Sequence, residues 1–164
     1  MEIEIKNLAD CREHLSLVSE WLWREWNSDD GRSVKDVEYR TEHCLEKDRV
    51  PMTFVALFKD KPIGTYSLWT NDLKTRQDLT PWLSVLYVVP EMRGKGLGTL
   101  LQQHAISQAK KLKYESLYLI TDHVGYYEKA GWVFLETAPL RDGRRTRIYR
   151  YLLKDKPNNV PDID

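Results

Sequence analysis

The chain has 164 residues, 41% of them hydrophobic and 30% charged, which is the length of one domain and excludes both a disordered chain and a collection of small modules. No run approaches the ~20 apolar residues of a membrane span, and the opening Met1-Glu2-Ile3-Glu4-Ile5-Lys6 lacks the basic start and apolar run of a secretory signal, so a cytoplasmic protein is expected. Twenty-five bases balance twenty-five acids, which argues against binding driven by nucleic-acid phosphates, and two cysteines without metal spacing read as buried free thiols.

Glu2-Ile3-Glu4-Ile5-Lys6 alternates with period two and predicts a half-buried strand. Asp10 with Glu13 resembles a capping box, and Leu15, Val18, Leu22 and Trp26 form an apolar stripe at helical spacing, ended by Asn27-Ser28-Asp29-Asp30-Gly31. Trp21 and Trp23 flank that stripe, as wedges onto a sheet or as the aromatic wall of a pocket. Ser33 caps a second helix whose Val34, Val37, Thr41, Cys44 and Leu45 share one face. The runs Met52 to Phe58 and Ile63 to Trp69, joined by Lys59-Asp60-Lys61-Pro62, predict a hairpin. After a polar loop, Trp82 to Val89 is apolar almost throughout and predicts a strand buried on both faces.

Pro90 stops that strand, a glycine-rich turn follows, and Leu97, Leu100, Leu101, Ala105, Ala109 and Leu112 predict the best-defined helix. Leu117 to Ile120 is a further strand, which makes a right-handed parallel crossover with the one before the helix. A short helix around Tyr126 to Ala130 ends at Gly131. Strands near Val133 to Ala138, ended by Pro139, and from Thr146 to Leu153 close the chain as a hairpin around Asp142-Gly143. The expectation is a single domain over residues 1–154 with a mobile tail, 155–164.

The chemistry concentrates at Arg93-Gly94-Lys95-Gly96-Leu97-Gly98, between a buried strand and an amphipathic helix. Glycines admit a ligand close to the backbone, a helix start leaves about four amides unpaired, and the helix dipole adds roughly half a positive charge there. Arg93 and Lys95 add side-chain charge, which suits a diphosphate. A Walker loop is excluded because Gly96 follows Lys95, and a Rossmann turn because its third glycine falls one residue later than Gly98.

Val89-Pro90-Glu91-Met92-Arg93-Gly94-Lys95-Gly96-Leu97-Gly98 resembles the acetyl-CoA signature of the GNAT superfamily of N-acetyltransferases. Tyr127-Glu128-Lys129-Ala130-Gly131-Trp132 resembles that family's tyrosine helix, and the order of elements fits up to residue 153. The resemblance implies a mixed α/β fold, β-α-α-β-β-β-α-β-α-β-β, with a splayed parallel strand pair. It implies acetyl-CoA as co-substrate without a metal. The amides of Arg93, Gly94, Lys95, Gly96, Leu97, Gly98 and Thr99 would hold the pyrophosphate, and the strand edge at Leu86, Tyr87 and Val88 would bond the pantetheine arm. The amide near Val88 would also polarise the thioester carbonyl. Tyr127 matches the tyrosine that protonates the departing thiolate.

The proton-removing group is not fixed by the resemblance. Some members place a glutamate on the strand before the loop, whereas Trp82 to Val89 contains no acid; Asp72, Asp78, Glu25 and His123 are the alternatives. His14, His43 and His104 read as surface or boundary residues on helices. Arg141, Arg144, Arg145, Arg147 and Arg150 read first as a solvated hairpin that resists edge pairing, with an acidic partner or RNA as the rival role. The expected activity is direct acetyl transfer to a primary amine of a small cationic acceptor, the rival being a non-catalytic acyl-CoA-binding regulatory domain of the same fold. No membrane partner is expected, and a homodimer is left open. Residues 1 to 48 carry thirteen acids and seven bases, net −6, while residues 141 to 156 carry seven bases and two acids, net +5. That polarity would draw a cationic amine to one side and an anionic coenzyme to the other.

Overall fold

A computed structural model describes residues 1–154, so the expected tail lies outside the described residues. A seven-stranded sheet carries the fold: β1 (Glu4–Asn7), β2 (Met52–Phe58), β3 (Lys61–Trp69), β4 (Trp82–Val88), β5 (Ser116–Thr121), β6 (Val133–Pro139) and β7 (Arg145–Leu152), in the order β1-β2-β3-β4-β5-β7-β6. Every neighbouring pair is antiparallel except β4 and β5. The helices are α1 (Leu15–Leu22), α2 (Val34–Glu42) and α3 (Leu97–Lys111). This is the mixed α/β architecture expected from the order of elements.

The two faces of the sheet differ chemically. Tyr66 and Phe54, cross-strand partners, stack at 5.2 Å on the face that α3 covers with His104. Leu97 and Leu101 lie close over Gly64 on that face. On the opposite face Trp21 of α1 packs against Tyr87, and Arg40 of α2 lies over the Trp69 ring. A line of hydroxyls is buried beneath these two helices: Thr53 and Ser67 share a 2.8 Å hydrogen bond, and Ser84 is the strand partner of Ser67.

Several local expectations are corrected. Asn7, through its Oδ1, caps a 3-10 turn at Leu8–Asp10, so the predicted Asp10–Glu13 box is absent and α1 starts only at Leu15 without a side-chain cap. Leu8 is fully buried, and anchoring it starts the turn earlier. Asp10 instead pairs with Lys47. Trp26 leaves the apolar stripe and is 46% exposed because Trp23–Asn27 widens into a π-turn, which rotates the residues beyond it. The second helix keeps its Ser33 cap, with Asp36 completing a capping box, and ends before Cys44, which is nonetheless buried. The tyrosine segment forms only a 3-10 turn, Glu128–Ala130, and Pro139 is the last residue of β6 rather than the first beyond it. Among the described residues, no helix is long and apolar enough to cross a membrane and no group of three or more His, Cys, Asp or Glu is placed to hold a metal ion.

Trp132 ties the tyrosine turn to α3: its buried indole donates to Gln102 Oε1 at 3.2 Å. Replacing Gln102 with Leu leaves that donor unpaired. Urea denaturation of Gln102→Leu should show a loss of about 1–3 kcal/mol.

Candidate active site

The sheet opens where the site lies. β4 and β5 share one registered pair, Trp82 with Tyr118, whereas β5 and β7 share six. Beyond that pair the strands diverge. The expectation that β4 is buried on both faces therefore holds only for Trp82, Leu83 and Ser84, and Val85 to Val88 are half-buried where β5 no longer runs beside them.

A bulge sharpens the divergence. Ser84 faces Ser67 and Tyr87 faces Thr65, so Val85 and Leu86 together stand opposite Tyr66. Val85 takes φ +48°, a left-handed conformation that costs a β-branched residue conformational energy and re-aims the strand at this point. The resulting cleft, about 550 Å³, is bounded by Leu83, Val85 and Leu86 on one side and by Thr121, His123 and Tyr127 on the other. Glu25 and Trp26 from the end of the first helix and Arg144 from the β6–β7 turn also border it.

At the C-terminal end of β4 the chain forms the cradle. Arg93 to Gly96 are exposed, with Gly94 at φ +75° and Gly96, the N-cap of α3, at φ +81°. The first bond of α3 runs from Leu100 N–H to Gly96 O, which leaves the amides of Leu97, Gly98 and Thr99 without helical acceptors. Leu97 buries its side chain in the core and thereby seats the helix start, while Lys95 stays exposed. Arg93 bends back: its Nε donates to Val88 O at 2.9 Å and its guanidinium lies 5.5 Å from the Tyr87 ring centroid. A Cβ at Gly98 would sit 3.2 Å from Tyr126 Oη, so a side chain there would crowd the tyrosine turn. A groove of about 530 Å³ continues from Thr99 along Gln103 and Ile106 to Tyr126 and Lys129. These features fit an elongated co-substrate with a diphosphate at the helix start.

Tyr127 stands among aromatic rings, at 4.9 Å from Tyr126, 6.1 Å from Tyr149 and 6.2 Å from Trp132. Burial, aided by neighbouring Tyr126, pushes its phenol up to about 12. It is therefore fully protonated at neutral pH and able to donate.

The candidate proton acceptors separate. Asp78 is held by Arg76, which keeps its carboxyl below the usual range. Glu25 and His123 border the cleft, and the His123 amide donates to Thr121 Oγ1 at 3.1 Å. Asp72 accepts from Ser84 Oγ at 2.9 Å, and burial pushes its carboxyl up to about 7 against the opposing pull of the Ser84 hydrogen bond and Arg40.

Other readings are settled by contacts. Trp21 is the buried wedge, Trp23 donates to Arg32 O at 2.7 Å, and Trp26 is the tryptophan at the cleft. His104 is half-buried, as a boundary residue, and has partners: its Nδ1 bonds Tyr66 Oη at 2.7 Å and its ring is edge-on to Phe54. In the arginine hairpin Arg147 lies 4.0 Å over Phe134 and bonds Tyr149 Oη, Arg145 bonds Thr137 O, and Arg144 pairs with Asp142. Sequence reading missed the Val85 bulge, which has no glycine to signal it, and the Asp72–Ser84 bond, which joins residues twelve apart.

Open amides at a helix start, at the head of a cleft between diverging strands with a protonated phenol on one wall, suit a transferase that takes its group from a phosphorylated carrier. The family model described as acetyltransferase (GNAT) family matches residues 15–132, and the chain belongs to that family. Among solved structures, an aminoglycoside 6'-N-acetyltransferase complexed with coenzyme A is similar at TM-score 0.74 and 15% identity, covering 96% of this chain and 100% of its own. An N-acetyltransferase from Staphylococcus aureus follows at TM-score 0.71 and 18% identity, over 94% of this chain and 100% of its own. The aminoglycoside 6'-N-acetyltransferase from Enterococcus faecium has TM-score 0.69 and 16% identity, over 96% and 100%. Among curated protein sequences none matches the chain.

The cradle's backbone can be tested alone. Nothing lies within 4 Å of a Cβ built on Gly96, so Gly96→Ala introduces strain without a clash. Left-handed backbone costs an alanine about 1–2 kcal/mol, and thermal denaturation should show a Tm lower by about 2–8 °C.

Proposed function

We propose that the protein transfers an acetyl group from acetyl-CoA directly to a primary amine of a small cationic acceptor. The observation that carries this reading is the cleft itself, which joins the bulged, uncovered part of β4 to the Tyr127 phenol. When bound, acetyl-CoA supplies the acetyl group as an activated thioester. The amides of Arg93 to Thr99 hold its pyrophosphate, with Lys95 adding charge. The edge of β4 at Leu86, Tyr87 and Val88 offers backbone groups to the pantetheine arm, and the Val88 carbonyl already accepts from Arg93. An amide of this edge polarises the thioester carbonyl. Tyr127 Oη holds the proton that the departing sulfur requires.

Direct transfer is supported by the cysteines. Cys11 and Cys44 are both buried, and burial pushes each thiol upward, so neither is an activated nucleophile. The acceptor class follows from the rim. Glu25 and Asp122 border the cleft with Trp26, which suits an alkylammonium group through charge and ring face. Two of the similar structures are aminoglycoside N-acetyltransferases, which supports a small polyamine-like acceptor. Three of the five hairpin arginines, Arg144, Arg145 and Arg147, are engaged within the hairpin itself, which argues against a nucleic-acid partner. The protein acts in the cytoplasm on this reading.

A thiol-release assay with acetyl-CoA over a panel of primary amines checks the proposal. Turnover with cationic amines is expected, and Tyr127→Phe should lower kcat by about a hundredfold while calorimetry shows coenzyme A binding unchanged. Coenzyme binding without turnover on any amine would identify a non-catalytic acyl-CoA-binding domain instead.

A further inference from the structure

The acids at the rim of the cleft account for a cationic acceptor, but the same rim carries a base. Arg144 borders the space that Glu25 and Asp122 border. Bringing like charges together on binding costs affinity, so a site for a simple polyamine gains nothing from a guanidinium at its mouth.

The β6–β7 turn holds Arg144 in place. Its amide donates to Asp142 Oδ1 at 3.0 Å and its Nε to Asp142 Oδ2 at 2.8 Å. Its carbonyl accepts from the Leu140 amide at 2.6 Å, and Leu140, itself at the cleft, packs against the buried cluster of Leu73, Trp82, Ala138 and Ile148. Of the five N–H donors of a guanidinium, Asp142 takes the one on Nε, and the four on the terminal nitrogens have no partner among the described residues. Two such donors side by side match the paired oxygens of a carboxylate. Asp142 is not among the residues that border the cleft. Glu25 and Asp122, which do border it, form no ion pair among the described residues. The cleft therefore offers two uncommitted carboxylates and one guanidinium fork.

We propose that the acceptor is a small diamino acid, with its carboxylate received by Arg144 and its two amines drawn by Glu25 and Asp122. Two cationic groups and one anionic group are the counterpart of the charges that the cleft leaves uncommitted, and the molecule as a whole stays cationic. Arg144 is then a specificity-determining residue: it favours an amine that carries a carboxylate and repels the same amine without one. The planar fork also fixes how the carboxylate lies, which a point charge would not do. Trp26 gives the methylene chain between the charges an apolar face, and a cleft of about 550 Å³ has room for a molecule of this size. A phosphate ester is the other oxyanion that such a fork accepts, and the test separates the two.

This proposal rests on the acyl-transfer reading, and a binding measurement keeps the two failures apart. Calorimetry on the protein loaded with coenzyme A compares lysine with cadaverine, ornithine with putrescine, and 2,4-diaminobutyrate with 1,3-diaminopropane, pairs that differ only by the carboxylate. At least one amino acid should bind about tenfold more tightly than its decarboxylated partner, and Arg144→Gln should bring that ratio to about one. The affinity of the variant for coenzyme A, read by the same method, checks that it is folded. Equal binding within all three pairs, or a preference that survives Arg144→Gln, overturns the proposal whether or not any amine is acetylated. Tighter binding of O-phosphoethanolamine than of every amino acid would place a phosphate on Arg144 and overturns it as well. In the thiol-release assay the same preference should appear in kcat/KM and be carried by KM. A binding preference with no turnover would uphold the role of Arg144 and overturn the acyl-transfer reading instead.

Discussion

The separation of β4 from β5 is the constraint on which the rest of the molecule depends. Two parallel strands joined by a helical crossover ordinarily pair along their length, yet these hold together only at Trp82 and Tyr118. The bulge at Val85 and Leu86 turns β4 away, and beyond that point it stays paired with β3 while its edge toward β5 faces a cleft rather than a strand. Unpaired strand edges demand hydrogen-bond partners from water or from a ligand. A substrate arm laid along the edge meets that demand, and α3 begins where such an arm would carry its phosphates. Edge, cradle and cleft are thus consequences of one interrupted ladder.

The opposed charges of the chain take on meaning when their partners are known. Much of the basic C-terminal segment is internally committed: Arg147 to Phe134 and Tyr149, Arg145 to a strand carbonyl, Arg144 to Asp142. Arg76 of the β3–β4 loop likewise clamps Asp78 and reaches Glu136 of β6. These pairs lie in exposed positions and contribute modestly to stability, but they fix the turn that forms one wall of the cleft. The acids left at the rim, Glu25 and Asp122, are not engaged in these pairs and set its character.

The fold was legible because its elements are strongly patterned. Leu97, Leu101, Ala105 and Ala109 repeat at helical spacing and are buried, and the hairpin runs of β2 and β3 announce themselves by β-branched and aromatic residues. The turn before α3 was equally plain, since glycine at positions 94 and 96 answers a backbone requirement that few other residues meet. Geometry that runs against local preference was hidden. Val85 is a strand former that takes a left-handed conformation, and Trp26 falls on the predicted stripe until a π-turn rotates it out. Asp72 looked like any loop aspartate because its environment is built by Ser84 and Arg40, residues distant in sequence.

Burial acts in the same direction on Tyr127 at the cleft and on Asp72 ahead of β4. It raises the Tyr127 phenol to about 12 and the Asp72 carboxyl to about 7. A phenol so placed keeps its proton at every physiological pH until a stronger base, such as a departing thiolate, is held beside it. A carboxyl so placed is ionised for part of the time at neutrality, yet holds a proton far more firmly than an aspartate in water. Of the two, Tyr127 borders the cleft, while Asp72 lies with Ser84 ahead of the bulge. The interrupted ladder is what opens the cleft that Tyr127 borders.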